Sequence, residues 1–150
     1  MKKFAFSLER MLNFQSQNLE KEMGILGRMI AERDALEAQK QDMAEKAAGV
    51  QADIARREAE GTTIFMLKAC FSILESARNQ LEEMEEELRL LQAGLERQRQ
   101  IVTEASREVK KLEKLKEKQL EEYHRGEAKE QQETIAEHVA GNFVRRGASQ

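Results

Sequence analysis

The sequence contains no proline, so the residue that most sharply interrupts helices is missing from all 150 positions. Aromatic residues reach only 5%, whereas a globular core of this length normally uses more of them and places prolines in its loops. Cys70 stands alone, which rules out an intramolecular disulfide and makes a reducing compartment the natural setting. No apolar run approaches the roughly 20 residues needed to span a bilayer. The opening Met1-Lys2-Lys3-Phe4-Ala5-Phe6-Ser7-Leu8 imitates a signal peptide, but Glu9 and Arg10 cut its apolar stretch short. A net charge of −3 is a poor match to nucleic acid, since phosphate neutralisation needs a concentrated basic face.

What is abundant is charge, 35% of residues, arranged around a regular apolar stripe. Stepping alternately by three and four gives Leu74, Ala77, Leu81, Met84, Leu88, Leu91, Leu95, Gln98, Val102, Ala105, Val109, Leu112, Lys116, Gln119 and Tyr123, of which twelve of fifteen are apolar. A repeat of 3.5 residues confines the stripe to one side of a helix and drives it against another helix in a left-handed supercoil. The same stepping from Ala5 gives Leu8, Leu12, Gln15, Leu19, Glu22, Leu26, Met29, Arg33, Leu36, Lys40, Met43, Ala47, Val50 and Ile54, eleven of fifteen apolar. The first helix can therefore cover the second. Its polar members Gln15, Glu22, Arg33 and Lys40 either snorkel past the seam or set its register. Gly24 and Gly27 share one face, and mark either a locally flexible stretch or a close approach by a partner.

Between the seams the pattern breaks. Gly61 suits a helix C-cap, and Thr62 or Thr63 an N-cap. Ile64-Phe65-Met66-Leu67, followed by Ala69, Cys70, Phe71, Ile73 and Leu74, is the most hydrophobic part of the chain, and a two-helix tip has too little mass to bury all of it. The fold expected is all-α: two long helices forming an antiparallel coiled-coil hairpin within a single unit of 1–150. Helix 1 is placed at about 5–58, the tip at about 59–66, helix 2 at about 67–140 and a frayed tail at 141–150. In this hairpin position x lies beside roughly 124 − x, which sets Leu12 near Leu112, Leu36 near Leu88 and Ile54 near Cys70. Helix 1 would be about 75 Å long and helix 2 about 105 Å, so helix 2 should overhang. Ile135, Ala136 and Val139 prolong a faint apolar pattern that Gly141 is expected to end.

Glu82, Glu83, Glu85, Glu86 and Glu87 form an acidic block, and Lys110, Lys111, Lys114, Lys116 and Lys118 a basic one. Such runs are ordinarily solvated faces with partners one turn away. Glu121 and His124 have the Glu-x-x-His spacing of carboxylate-bridged metal sites, but these need a second such motif, and His138 has Ile135 at the matching position. Cys70 lacks a neighbouring His and sits among apolar residues. There is no phosphate-cradling loop. No catalytic residue, cofactor, metal or small-molecule substrate is expected.

The opening Lys3-Phe4-Ala5-Phe6-Ser7-Leu8 with Leu12, and the later Arg107-Glu108-Val109-Lys110-Lys111-Leu112-Glu113-Lys114-Leu115-Lys116-Glu117-Lys118 running into Tyr123, Glu127, Gln131 and Gln132, resemble the FliJ-type flagellar type III export proteins. The sequence departs from that pattern at Gln15, where Arg is common, and at Ala136-Glu137, where Asp-Glu is usual. The resemblance implies a cytoplasmic protein, peripherally associated with the inner membrane at the flagellar base. It implies a central-stalk-like coiled coil that seats its terminal end in the hexameric export ATPase and activates it. It further implies contact with the cytoplasmic region of the large export-gate membrane protein and with export chaperones. For the ATPase the resemblance points to Phe4, Phe6, Arg10, Lys111, Lys114 and Lys118. For the export gate it points to Phe71, Leu74, Ala77 and Leu81, with Phe71 the anchor and the other three alternatively seam positions only. Two further readings stand beside it, the equivalent stalk of a virulence type III system and a structural coiled coil that oligomerises in parallel.

Overall fold

The computed structural model describes residues 2–148. They form two helices, α1 (Glu9–Glu60) and α2 (Ile64–Ala148), and no strand occurs among the described residues. Both are built from good helix formers, Ala, Leu, Glu, Lys, Arg and Gln, with no proline to interrupt them. Gly61 ends α1 with φ of 90°, a left-handed conformation that costs an L side chain about 1–2 kcal/mol. Thr63 caps α2: its Oγ1 accepts from the Met66 amide at 3.2 Å, and its carbonyl accepts from Leu67 at 3.2 Å. The chain reverses within three residues.

The two helices pack antiparallel, and the seam positions make the contact. Every one from Leu8 to Ile54 and from Leu74 to Tyr123 is buried or half-buried, and only Ala5 is exposed. The α2 stripe is covered by α1 of its own chain, which removes the parallel-coil reading. By packing, the chain divides into one unit running Glu20–Thr103 and another joining the N-terminal stretch up to Leu19 to the chain from Glu104 onward.

In the Glu20–Thr103 unit, Ala47, Ile54, Cys70, Leu74 and Ala77 form the core next to the turn, with Met43, Val50 and Leu67 packed on it. Farther along, Leu95 is the most enclosed side chain, at 2% exposure. Beside it Gln98, also buried, donates through Nε2 to the Glu22 carbonyl at 3.0 Å and to Glu22 Oε2 at 2.6 Å. Lys40 reaches Glu85 at 3.5 Å. Two of the polar seam residues of α1 thus find partners on α2, while Arg33 turns to Asp34 at 3.1 Å. These pairs follow the 124 − x register to within a few residues.

In the other unit, Phe6, Leu12, Val109 and Leu112 form the core, with Phe4, Leu8 and Leu19 packed on it. Here the structure departs from the expected boundaries at both ends. Residues 2–8 are an irregular arm, and the Phe6 carbonyl accepts from the Glu9 amide at 3.1 Å just ahead of the helix. A non-helical arm can turn both Phe4 and Phe6 toward α2, whereas helical residues two apart face different sides. The tip is Gly61–Thr63, shorter than 59–66. At the other end α2 passes Gly141 and runs to Ala148, since an interior glycine costs only about 1 kcal/mol relative to Ala and Gly141 keeps a negative φ. The expected tail is helical as far as it is described, and Ser149 and Gln150 lie outside the described residues.

Candidate protein-interaction site

The arm and the facing stretch of α2 build the first candidate surface. Phe6 is buried at 7% and holds the arm down. The Phe4 ring lies 5.7 Å from that of Tyr123, tilted by 54°, and Tyr123 Oη donates to the Lys2 carbonyl. Lys116 pairs with Glu9 at 2.9 Å, tying the start of α1 to α2. In the same unit Arg10, Lys111, Lys114 and Lys118 are exposed. The three lysines follow i, i+3, i+7 spacing, so they share one side of α2. Lys111 is paired with Glu108 at 3.2 Å. Of the six residues the resemblance assigned to the ATPase, the four cations are exposed, Phe4 is half-buried against Tyr123, and Phe6 is withdrawn into the core; Lys114 lies about half a turn around α2 from Tyr123.

Beyond the arm, α2 is exposed at every residue from 128 to 148. Phe143 and Val144 join Ile135 and Val139 on it, all more than half exposed. The sequence reading stopped at Gly141 and missed both. Their signal was the i, i+4, i+8 spacing of Ile135, Val139 and Phe143, which a helical Gly141 leaves unbroken. Tyr123 was read as a seam position and missed as the arm's hydrogen-bond anchor, because its partner is a backbone carbonyl.

The second candidate surface lies in the Glu20–Thr103 unit. Phe71 is half exposed, and nearer the turn Ile64 and Phe65 are exposed at 73% and 79%. Leu74 and Ala77 are buried core residues, and Leu81 is half-buried. Of the four residues assigned to the export gate, Phe71 alone offers a free side chain, while Leu74 and Ala77 are covered by α1. The same region carries an ordered charge cluster. Arg57 donates to Asp53 at 2.9 Å and Arg56 to its other oxygen, and these two bonds hold the Asp53 carboxyl below the ordinary carboxylate range. Two members of the acidic block are paired, Glu86 with Arg89 one turn away and Glu85 with Lys40 on α1. The Arg89 bond, opposed by desolvation, lowers the Glu86 pKa.

Among the described residues no group of three or more His, Cys, Asp or Glu converges as a metal site, and no helix is long and apolar enough to cross a membrane. The chemistry on offer is docking, by exposed aromatics and aliphatics beside cations. The model of the family described as "Flagellar FliJ protein" matches residues 4–148. No curated protein and no solved structure matches.

Proposed function

Because this chain belongs to the flagellar FliJ family, and so is a component of the flagellar export apparatus, we propose that it is a non-catalytic, stalk-like coiled coil that binds and activates the hexameric export ATPase. It links that ATPase to the cytoplasmic region of the large export-gate membrane protein and to export chaperones, working in the cytoplasm at the inner face of the membrane.

The observation that carries this reading is the arm-and-cation surface. An aromatic anchor, Phe4 on Tyr123, fixes the arm, the same unit exposes Arg10, Lys111, Lys114 and Lys118, and α2 is exposed from 128 to 148. A shaft seated in a ring works through many modest contacts, and exposed long cations with a partly buried aromatic supply them. Phe6, Leu74 and Ala77 hold the two surfaces in shape and do not themselves touch a partner. The gate contact rests on Phe71, with Leu81 at its edge.

The test is the ATP hydrolysis rate of the cognate export ATPase, titrated with the intact chain, with a version lacking residues 1–12, and with Arg10→Glu/Lys114→Glu/Lys118→Glu. The truncation also removes core residues, whereas the triple variant changes exposed positions only. Stimulation by the intact chain that disappears in the triple variant supports the reading. Absence of stimulation at any concentration, with a ring-competent ATPase, removes it.

A further inference from the structure

Polar seam residues and helical glycines gather in one stretch of the hairpin. On α1 no residue from 13 to 46 is buried, whereas Leu12 before it and Ala47 and Ile54 after it are. The seam members Glu22, Arg33 and Lys40 fall inside that stretch, as do Gly24 and Gly27, where an added side chain would meet nothing within 4 Å. On the facing part of α2, Leu81, Met84, Leu88, Leu91 and Val102 are only half-buried, and Gly94 lies against Met29. A helix draws most of its stability from packing an apolar face, and each interior glycine weakens it further relative to Ala. Both contributions are low here.

What closes this stretch is local. Leu95 is packed, and Gln98 beside it donates to the Glu22 carbonyl at 3.0 Å and to Glu22 Oε2 at 2.6 Å. Lys40 reaches Glu85 at 3.5 Å with both side chains partly exposed, and Arg33 turns to Asp34 of its own helix. Exposed pairs of this kind contribute little. By contrast, Ala47, Ile54, Cys70, Leu74 and Ala77 form a continuous buried core beside the turn. Parts of a structure with few buried apolar contacts open at lower free energy than parts with many, and in a uniform coiled coil it is the termini that fray. The packing of this hairpin places its weak stretch inside the helices instead.

We propose that residues 20–40 of α1 with 84–103 of α2 form a compliant segment, which opens and recloses while the core beside the turn stays packed, and that the Gln98–Glu22 contact is the pin that holds it shut. Both stretches belong to the Glu20–Thr103 unit. Opening turns the half-buried Leu26, Met29, Leu88 and Leu91 to solvent and leaves Leu74 and Ala77 covered. Strain that a bound partner imposes on the helices is taken up in this segment. The inference rests on packing alone and does not depend on the ATPase reading.

The test is hydrogen–deuterium exchange with mass spectrometry on the full chain, under conditions where reclosing outpaces exchange. A separated stretch of helix is marginal in water, so opening of the interface exposes its amides. Amides of the segment are expected to exchange at least tenfold faster than those of 47–54 and 70–77. Gln98→Ala should speed exchange of the segment about fivefold, in α1 as well as in α2, with the turn core unchanged. Gly24→Ala/Gly27→Ala/Arg33→Leu should slow it at least tenfold, again in both helices. Protection in the segment equal to or above that of the turn core would overturn the proposal. So would a change by one common factor along the whole Glu20–Thr103 unit, which marks global unfolding. A fast segment indifferent to the variants, or an effect confined to the substituted helix, would equally overturn it.

Discussion

Leu95 and Gln98 sit one helical turn apart in the same seam, and both are closed off from water, but by different means. Leu95 is enclosed by packing alone. Gln98 is buried because its amide donates twice to Glu22, once to the backbone carbonyl and once to the carboxylate. Truncating the leucine removes apolar contact and leaves a void, costing about 3 kcal/mol. Gln98→Ala loses a charge-assisted bond while Glu22 can still reach solvent, costing about 1–2 kcal/mol. Leu90→Ala, at a position 57% exposed, should change stability by less than about 0.5 kcal/mol. Urea unfolding of the three variants should return that order. Asp53 gives a second residue-scale expectation. Its folded pKa is depressed first by the Arg57 bond and then by the Arg56 bond. The stability this contributes is present above the unfolded carboxyl's pKa and is lost as pH falls through the depressed folded value. Arg57→Gln should move the Asp53 midpoint up toward the ordinary value in an NMR titration and remove this small surface contribution at neutral pH, with no difference from the parent at pH below the folded value.

At the scale of the element, the glycines separate into two kinds. A side chain added at Gly24 or Gly27 would meet nothing within 4 Å, and both are exposed, so no contact within the chain requires them. Alanine at either should stabilise α1 by about 0.5–1 kcal/mol through propensity. Gly61 is the opposite case, since its φ of 90° makes Gly61→Ala cost about 1–2 kcal/mol. Thermal unfolding of the single variants should show these opposite signs. The arm is the other element with a distinct signature. Tyr123→Phe keeps the ring that Phe4 packs on but deletes the bond to the Lys2 carbonyl. Amide exchange in residues 2–8 should then speed up several-fold with α1 unchanged. The seam was legible in the sequence because a coiled coil writes its contacts at a fixed spacing. The arm was not, because Phe4 and Phe6 also fit a helical reading, and only the facing Val109, Leu112 and Tyr123 favour the extended one. Gly141 was misjudged for a related reason, its modest penalty having been read as a stop.

For the molecule as a whole, the two candidate surfaces should fail independently. In cells lacking the native protein, Arg10→Glu/Lys114→Glu/Lys118→Glu should abolish stimulation of the ATPase and reduce motility while retaining binding to the export-gate fragment. Phe71→Ala should do the reverse, weakening gate binding about tenfold and leaving ATPase stimulation intact, as expected for the loss of one exposed aromatic anchor. A variant that lost both functions with a normal circular dichroism spectrum would show that the surfaces are not separate.

The sequence by itself determined that the chain is helical, that it folds back near Gly61 and which side of each helix is buried, because heptad spacing, the lack of proline and a capping pair are local features. It also set the register to within a few residues, since seam positions can meet only at multiples of the repeat. The tertiary structure alone decided which of the named residues face solvent. Phe6 read as a contact but is covered by the opposing helix, Leu74 and Ala77, read both as seam positions and as gate contacts, are covered as seam positions, and Phe71, Lys114 and Lys118 are exposed. Whether an apolar residue near a seam is core or docking surface depends on what the other helix places over it, and local sequence does not encode that.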